Sequence, residues 1–366
     1  MKKRKLQIDC QPMRFGWFTI APLINTLVNT MAKLEQLKNR ILTNLDENKN
    51  PAITRAEGEE LLELSSSEII ELIALANIVR ENRQGNNINL CSIVNAKSGY
   101  CSEDCAFCAQ SKFHHTKIDK YPLLTVEEIV RSALESEKTD AEHFGIVTSG
   151  HKLSNKDFKE VVKAVKKISK KTNLRICASL GILSIEQLSV LKDAGLYKYH
   201  HNIETAESFF DQICTTHSYS ERIDMIKRVK SLGLEVCCGG IIGLGEAPWQ
   251  RLELVETLAK LDVDSIPINI LSPIPGTKLA SQPPLAPMEI LKTIAIFRLM
   301  LPDKTIKLAG GREKNLRDLQ PLGLTAGANG LLIGNYLTMP GQSPEKDLEM
   351  IRDLGLKVGQ GRFWKK

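Results

Sequence analysis

Residues 174–203 read LRICASLGILSIEQLSVLKDAGLYKYHHNI. The stretch contains a β-favouring apolar run at 174–180, an amphipathic helical run at 184–194 and a second β-favouring run at 197–203. A strand, a helix and another strand in this order indicate a βαβ unit with parallel strands. The stretch therefore predicts an α/β protein that is built on a parallel sheet.

The same alternation continues on both sides of this unit. Eight β-favouring runs are separated by amphipathic helical runs, and eight such units predict closure into a (β/α)8 TIM-type barrel. In such barrels the chemistry lies at the C-terminal ends of the strands and in the loops that follow them. The predicted strands are 89–96, 143–149, 174–180, 197–203, 234–242, 264–271, 305–311 and 330–334, and the predicted helices are 125–137, 155–171, 184–194, 219–232, 248–261, 286–300 and 313–320.

The chain divides into four predicted segments. Residues 1–30 form an extension outside the main fold, either disordered or an over-long start, because charged residues and proline interrupt their apolar part. Residues 31–85 form N-terminal helices, and residues 86–340 form the barrel. Residues 341–366 form a C-terminal helix and tail.

The composition is that of a globular protein, with 42% hydrophobic and 25% charged residues among 366. No apolar run reaches the roughly 18 residues that a membrane helix needs. The net charge of +6 is not concentrated in one block, so we expect neither a membrane nor a nucleic-acid partner. The nine cysteines are an odd number in a chain too large to need disulfides. They predict a reducing compartment, most simply the cytoplasm.

Three of the cysteines lie together in the segment GYCSEDCAFC, which follows the first predicted strand. Cys101, Cys105 and Cys108 form a C-x3-C-x2-C pattern. Three thiolates on one loop can hold three irons of a cubane cluster and leave the fourth iron open. A tetrahedral zinc site is the alternative, with His114 or His115 as the fourth ligand. The position of the loop after a barrel strand favours the cluster.

This pattern, with an aromatic residue before its last cysteine, resembles the signature of radical S-adenosylmethionine enzymes. From about residue 60 to the C-terminus the chain also resembles biotin synthases. That family converts dethiobiotin to biotin: a 5′-deoxyadenosyl radical abstracts hydrogens from C9 and C6, and one sulfur is inserted between them. The resemblance implies the same sulfurtransferase activity here. The matching segments are NAKSGYCSEDCAFCAQ (95–110), ICASLG (176–181), YHHNIET (199–205), YSERI (219–223), VCCGGIIGLGE (236–246), SIPINIL (265–271) and GGREKNLRDLQPLGL (310–324).

The resemblance also assigns residues to the cofactor. The three loop cysteines would hold the [4Fe–4S] cluster to which S-adenosylmethionine binds. Phe107 occupies the aromatic position beside the adenine. Gly240 and Ile241, in a glycine-rich turn, would line the nucleoside. Arg222 matches the arginine that pairs with the methionine carboxylate, for which a planar two-donor group is well suited.

Three further residues match positions that contact the ribose or the substrate. Asn202 and Glu204 follow the fourth predicted strand, and alternate residues of a strand share a face, so both can point into the barrel. The family usually has aspartate at the second position, so Glu204 is a conservative departure. Asn269 matches the asparagine that holds the ureido ring of the substrate. The alternative is that each asparagine makes purely structural hydrogen bonds.

The chain departs from the family at a second cluster. Biotin synthases usually carry a [2Fe–2S] cluster deep in the barrel, held by three cysteines and an arginine, which serves as the sulfur donor. Cys177 and Cys237 match two of these ligands. Gly145 stands at the third cysteine position and Lys307 at the arginine position.

Two additional cysteines occur in the same predicted cavity. Cys91, Cys177 and Cys237 lie on odd-numbered strands, which contribute to one interior layer of a barrel. We therefore predict that they anchor a four-iron auxiliary cluster, with Cys238 or an exogenous sulfide on the remaining iron. Cys238 should face away from the cavity unless a bulge turns it inward. The alternative is that Cys91 and Cys238 are buried small hydrophobic residues and that the auxiliary cluster is lost.

Two other functions stay open from the sequence. One is a related radical enzyme on the same barrel, of the hydrogenase-cofactor maturase or mutase type, which inserts no sulfur. The other is a non-catalytic zinc or iron–sulfur sensor. The biotin synthase resemblance further implies an electron donor such as flavodoxin or ferredoxin, and a homodimer.

Overall fold

The computed structural model describes residues 20–359, so residues 1–19 of the predicted extension and residues 360–366 of the tail lie outside the described residues. Three helices precede the barrel: α1 (Ile20–Asp46), α2 (Arg55–Leu62) and α3 (Ser66–Gln84). Helix α1 runs through residue 31, where we placed a segment boundary. Thr54 and Glu57 form the capping box that begins α2.

The strands of the described residues are all paired in parallel. They are β1 (Asn87–Lys97), β2 (His143–Thr148), β3 (Arg175–Ser179), β4 (Leu196–His200), β5 (Glu235–Cys237), β6 (Gly240–Ile242), β7 (Ser265–Ile270), β8 (Thr305–Leu308), β9 (Gly330–Leu332) and β10 (Lys357–Val358). The first nine strands follow one another around a closed ring, in which β5 and β6 together occupy the fifth of eight strand positions. The ring closes where β9 pairs with β1. This closure confirms the predicted (β/α)8 barrel.

Most of the helices around the barrel bury one apolar stripe against it. In the helix Asn155–Lys171, for example, Val161, Ala164, Val165 and Ile168 recur at helical spacing and are buried. The helix Pro287–Met300 differs, because its residues 290–299 are all buried. The remaining helices are α4 (Val126–Glu137), α5 (Asn155–Lys171), α6 (Ile185–Asp193), α7 (Glu207–Phe210), α8 (Tyr219–Ser231), α9 (Pro248–Lys260), α10 (Pro287–Met300), α11 (Arg312–Leu316), α12 (Gln320–Thr325) and α13 (Pro344–Asp353).

Two predicted elements are interrupted in the structure. The predicted strand 234–242 breaks between β5 and β6, where the neighbouring strand β7 carries Pro267, which has no N–H to donate to the ladder. The predicted helix 313–320 is divided into α11, a 3₁₀ turn (Arg317–Leu319) and α12. Pro321 stands at the start of α12, a position that proline tolerates, whereas a helix interior does not accept it.

The C-terminal part closes over the barrel mouth. Asp347 on α13 accepts two hydrogen bonds from the guanidinium of Arg312, and both side chains are fully buried. Residues 336–339 line the cavity described below, and the Asn95 amide donates to the carbonyl of Leu337 at 2.7 Å. Among the described helices, none is long and apolar enough to cross a membrane.

Candidate active site

A cavity of about 480 Å³ occupies the interior of the barrel and opens at its C-terminal mouth. Most of the side chains that the sequence singled out meet there, although they come from separate strands and loops. The predicted site residues that line the cavity are Cys91, Cys101, Cys105, Phe107, Cys108, Cys177, Asn202, Glu204, Arg222, Cys237, Ile241 and Asn269. Gly145 and Lys307, the two departures from the family pattern, line it as well.

The cysteine loop leaves β1 through two left-handed residues, Gly99 with φ +78° and Tyr100 with φ +55°. These conformations turn the chain back across the barrel mouth. The Ser149 hydroxyl, after β2, donates to the carbonyl of Gly99 at 2.7 Å. The backbone N–H of Cys101 donates to the carbonyl of Gln110 at 3.0 Å, so the loop is closed on itself.

A second segment, residues 213–218, fixes the other side of this loop. The Asp104 carboxylate accepts from the backbone N–H and the hydroxyl of Thr215, at 2.9 and 2.6 Å. The backbone N–H of Ala106 donates to the carbonyl of Ile213 at 2.8 Å. These bonds hold the backbone on both sides of Cys105, which is itself buried.

The spacing of the loop sulfurs does not fit one metal ion. Zinc bound by sulfur at about 2.3 Å in tetrahedral geometry brings its ligand atoms within about 4 Å of one another. Among the described residues, Cys101, Cys105 and Cys108 do not form a group with every pair of sulfurs within 4.8 Å, and neither His114 nor His115 joins them. In a cubane cluster each thiolate binds a different iron, so three thiolates that are farther apart fit it better than they fit one metal ion. Burial raises the pKa of Cys108 to about 11, so a bound metal would have to displace its proton.

Arg222 reaches the cavity from α8 and is 9% exposed. Its Nε lies 3.0 Å from Nε2 of His217, and its Nη1 donates to the carbonyl of Asn202 at 2.8 Å. Nη1 also lies 3.4 Å from the Glu204 carboxylate. No described residue accepts a hydrogen bond from Nη2, which leaves this donor for an anionic group in the cavity.

Asn202 and Glu204 lie where the chain leaves β4. The Asn202 Oδ1 accepts from the backbone N–H of Gly239 at 3.0 Å, and its Nδ2 donates to Glu204 at 3.3 Å. Glu204 has φ +69°, a left-handed conformation that residues with a side chain rarely adopt. The conformation is held by the backbone N–H of Ile241, which donates to the Glu204 carbonyl at 2.8 Å.

Gly240 was expected to line the nucleoside, but the structure places it beside the cavity. It does not line the cavity. A Cβ at this position would lie 2.5 Å from the carbonyl oxygen of Glu204, so the absence of a side chain allows β6 to approach residue 204. Gly240 therefore provides space for the backbone beside the cavity, and Ile241 provides the side chain that faces it.

Asn269 bridges two backbone segments. Its Nδ2 donates to the carbonyl of Gly240 at 3.2 Å, and its Oδ1 accepts from the N–H of Gly310 at 3.0 Å. A primary amide has a second N–H and a second acceptor lone pair. Asn269 is thus held rigidly on the cavity wall and keeps one donor and one acceptor for a ligand.

The deeper part of the cavity contains Cys91, Cys177 and Cys237, on β1, β3 and β5. Cys91 lies six residues before the end of β1, which is roughly 20 Å of strand below the mouth. The structure describes these three sulfurs as free thiols, and they too lack the close grouping of a single-ion site. Gly145 lies beside Cys177 across the β2–β3 ladder. A Cβ at residue 145 would meet the Ile93 side chain at 3.0 Å.

Cations surround these thiols. The Lys307 ammonium donates to the Cys91 sulfur at 2.7 Å. Burial alone would raise the pKa of Cys237, but the nearby His200, Lys307 and Lys198 lower it to about 6. Burial disfavours the charged form of His200, yet Cys237 raises the pKa of this imidazole. The surroundings therefore favour the thiolate at Cys237, whereas burial and the neighbouring Cys91 raise the pKa of Cys177.

The structure does not bring Cys238 to the cavity. Its side chain is fully buried in the hydrophobic core between the strands and the helices, although Cys238 lies in the interruption between β5 and β6. The backbone N–H of Cys238 still donates to the carbonyl of Ser265 at 2.9 Å, which preserves the outward orientation expected of a regular strand. Of the two candidates for the remaining iron, Cys238 and an exogenous sulfide, the structure therefore does not place Cys238 in the cavity.

Several residues of the site were not recognised from the sequence. His200 contacts Cys237. The sulfur of Cys214 lies 3.8 Å from the Cys105 sulfur and 3.2 Å from Nδ1 of His217. Those three side chains form a close group that could hold a metal ion. The one sequence feature that could have indicated a role for this region is the polar segment TTHS (215–218), directly before the YSERI motif.

Two polar atoms in the cavity wall are buried without a hydrogen-bond partner: the Thr148 hydroxyl and Nε2 of His201. Buried polar groups are normally paired, so these atoms fit a polar ligand in the cavity. Together with the free donor of Arg222 and the two sets of thiols, they fit S-adenosylmethionine and iron–sulfur clusters better than an apolar ligand.

Two family models match the chain, and they agree with the class of enzyme that the barrel and its cysteine loop indicate. The model of the Radical SAM superfamily matches residues 96–258, and that of the Biotin and Thiamin Synthesis associated domain matches residues 267–357. The chain is therefore a radical S-adenosylmethionine protein.

Curated relatives narrow this class. A biotin synthase from Carboxydothermus hydrogenoformans is 51% identical over 308 residues, which cover 84% of this chain and 95% of the relative. A biotin synthase from Geobacter sulfurreducens is 47% identical over 327 residues, which cover 89% and 98%. The chain belongs to the biotin synthase family, whose members are sulfurtransferases.

Solved structures support the fold. Methylornithine synthase (PylB) has a TM-score of 0.76 at 20% identity, covering 87% of this chain and 97% of its own. The [FeFe]-hydrogenase maturase HydG has a TM-score of 0.74 at 18% identity, covering 90% and 78%. At this identity both show the shared barrel alone and lend no support to a maturase or mutase activity.

Proposed function

We propose that this enzyme converts dethiobiotin to biotin by inserting sulfur between C6 and C9, using two iron–sulfur groups in one cavity. The observation that supports this most strongly is the placement of two separate sets of three cysteines. One set lies on the loop at the mouth and the other on strands deep in the barrel. A radical enzyme that inserts no sulfur does not require a second, sulfur-donating cluster, so the deeper set favours sulfur insertion.

Cys101, Cys105 and Cys108 would hold the radical-generating [4Fe–4S] cluster. When bound, this cluster and S-adenosylmethionine supply a 5′-deoxyadenosyl radical that removes hydrogen from the substrate. The loop residues keep their three thiols apart through the bonds to residues 213–218 and across the loop. That rigidity prepares the site for its cluster before any cofactor binds.

The neighbouring side chains bind and shield the nucleoside. The free Nη2 of Arg222 would pair with the methionine carboxylate, because a guanidinium with fixed geometry suits a planar anion. Asn202 and Glu204 would bind ribose hydroxyls through the donor and acceptor atoms they expose. Phe107 and Ile241, half-buried on the wall, exclude water from the reacting atoms.

Cys91, Cys177 and Cys237 would hold the auxiliary cluster, which serves as the sulfur source. A [2Fe–2S] cluster needs four protein ligands, and Gly145 supplies none where the family usually has cysteine. Cys238 faces the core, so it is not available as the fourth ligand. Three thiolates suffice for three irons of a four-iron cluster, and an exogenous sulfide on the fourth could leave without dismantling the rest.

Asn269 would hold the ureido ring of dethiobiotin between the two clusters. The backbone bonds at Gly240 and Gly310 fix the plane of its amide, and its remaining N–H and lone pair match the ureido oxygen and N–H. The substrate carbons would then lie in the part of the cavity between the two sets of cysteines.

The surface around the cysteine loop suits an acidic electron carrier such as flavodoxin or ferredoxin. Tyr100 and Phe113 are exposed there, at 73% and 51%. Lys120 lies over the Tyr100 ring and Lys112 over the Phe113 ring, at 5.6 and 5.2 Å from the ring centroids. A homodimer in the cytoplasm, as the family resemblance implies, completes the proposal.

The test is an anaerobic assay with dethiobiotin, S-adenosylmethionine and a reductant, in which biotin and 5′-deoxyadenosine are measured together. Because two C–H bonds must be broken, we expect about two deoxyadenosines for each biotin. Deoxyadenosine without biotin would contradict sulfur insertion, and the absence of both products would contradict the radical assignment.

A further inference from the structure

Lys307 is a buried cation that has no carboxylate partner in the described part of the chain. The residue is 3% exposed, and its ammonium contacts the Cys91 sulfur at 2.7 Å. Lys198, the other lysine on the cavity wall, differs because its Nζ lies 2.9 Å from the Glu235 carboxylate. The groups that can compensate this buried charge are the Cys91 and Cys237 sulfurs and, beyond ion-pair distance, the Glu142 carboxylate. The sulfur of Cys91 is the one that the Lys307 ammonium contacts directly.

The intervening strand is shaped to let this contact form. Lys307 on β8 pairs with Gly330 on β9, and β9 separates β8 from β1. A Cβ at residue 330 would lie 2.7 Å from Cγ of Lys307 and 3.4 Å from its Cδ. The missing side chain therefore leaves the path along which the lysine stem crosses β9 to Cys91.

We infer that Lys307 is a positioning residue of the auxiliary site: it donates a hydrogen bond to the ligating sulfur of Cys91 and supplies a compensating charge, and it does not itself bind iron. The inference rests on the proposed auxiliary cluster. An ammonium that donates to sulfur has no lone pair for a metal. Lys307 thus differs in role from the arginine that the family usually has at this position, which is a ligand.

This role has a consequence for the reduction potential of the auxiliary cluster. Hydrogen bonds to the sulfurs and the net charge of the surroundings both set the potential of such clusters. A cation that donates to a ligand thiolate stabilises the reduced, more negative form. Removal of the Lys307 charge should therefore lower the auxiliary midpoint potential.

The experiment uses the full-length Cys101→Ala/Cys105→Ala/Cys108→Ala protein, which retains the auxiliary cluster as its sole cluster and does not depend on turnover. Iron content and an anaerobic redox titration followed by electron paramagnetic resonance are measured for this parent and with Lys307→Met or Lys307→Arg added. Lys304→Met is the matched control, because Lys304 precedes the same strand but pairs with Asp262 outside the cavity.

We expect Lys307→Met to lower the midpoint potential, and Lys307→Arg and Lys304→Met to leave it near the parent value. If Lys307→Met prevents cluster assembly, iron retained by Lys307→Arg without nitrogen hyperfine coupling supports the inference, because the arginine then acts without binding iron. Loss of the iron in Lys307→Arg overturns the inference, and so does coupling from a bound arginine nitrogen. An unchanged potential in Lys307→Met, or nitrogen hyperfine coupling from a lysine bound to the cluster, also overturns it. If the parent holds no auxiliary iron, the proposed cluster itself has failed, which is a distinguishable result.

Discussion

The sulfur of Cys105 lies 3.8 Å from the sulfur of Cys214, so a fourth thiol adjoins the cysteine loop. Cys214 also contacts His217, which in turn contacts Glu103 and Arg222. This network ties the loop to the helix that carries Arg222. It connects the cluster ligands with the residue that we expect to bind the methionine carboxylate.

The relationship allows a matched pair of variants at the mouth of the barrel. Cys105→Ala should abolish 5′-deoxyadenosine formation, because the radical cluster would lose one of three ligands. Cys214→Ser should retain radical-cluster iron and deoxyadenosine formation, since residue 214 lies outside the C-x3-C-x2-C pattern. Product analysis with iron quantification checks both. Normal S-adenosylmethionine cleavage by Cys105→Ala would refute the ligand assignment.

A second pair of variants distinguishes the roles of Cys91 and Cys238, the two cysteines that the chain has in addition to the family pattern. Cys91→Ala should lower auxiliary iron and reduce biotin formation by at least about tenfold. Changing a residue that only supports a metal ligand already costs about tenfold or more in metal affinity or activity, and loss of the ligand itself should cost more. Cys238→Ala, whose side chain is in the core, should leave both unchanged. S-adenosylmethionine cleavage should persist in each variant. Full biotin yield from Cys91→Ala would show that residue 91 is only a small buried side chain.

Asn269→Ala should weaken dethiobiotin binding while both clusters still assemble. An unpaired ureido group in the cavity costs about 1–3 kcal/mol, or roughly five- to a hundredfold in affinity. Asn315→Ala is the control, because that amide also bonds to backbone carbonyls but does not line the cavity. Equal substrate affinity in the wild type and Asn269→Ala would make Asn269 a structural amide alone.

The C-terminal closure depends on one buried ion pair. Asp347→Asn should lower the free energy of unfolding by about 3 kcal/mol, because the fully buried Arg312 guanidinium then keeps only the Glu313 carboxylate, 3.5 Å away, as a counter-charge. Lys346→Ala, at an exposed neighbouring position, should have little effect. Urea denaturation at neutral pH measures both, and similar midpoints for the two variants would count against the role given to this pair.

The sequence was most informative where local patterns determine structure. Buried parallel strands are nearly continuous apolar runs, so the barrel strands could be located within a few residues. The interruption at Cys238 could not, since it depends on Pro267 of an adjacent strand. The contact between Lys307 and Cys91 spans three strands, and the position of Cys214 depends on how two loops close. Such relationships are set by tertiary packing, which no local pattern contains.

The most direct test of the two-cluster account is Mössbauer spectroscopy of the ⁵⁷Fe-enriched Cys101→Ala/Cys105→Ala/Cys108→Ala protein. Removal of the three loop thiols leaves Cys91, Cys177 and Cys237 as the cavity cysteines. The account predicts a four-iron signature with roughly four irons per chain. A pure [2Fe–2S] signature, or a variant without iron, would contradict it.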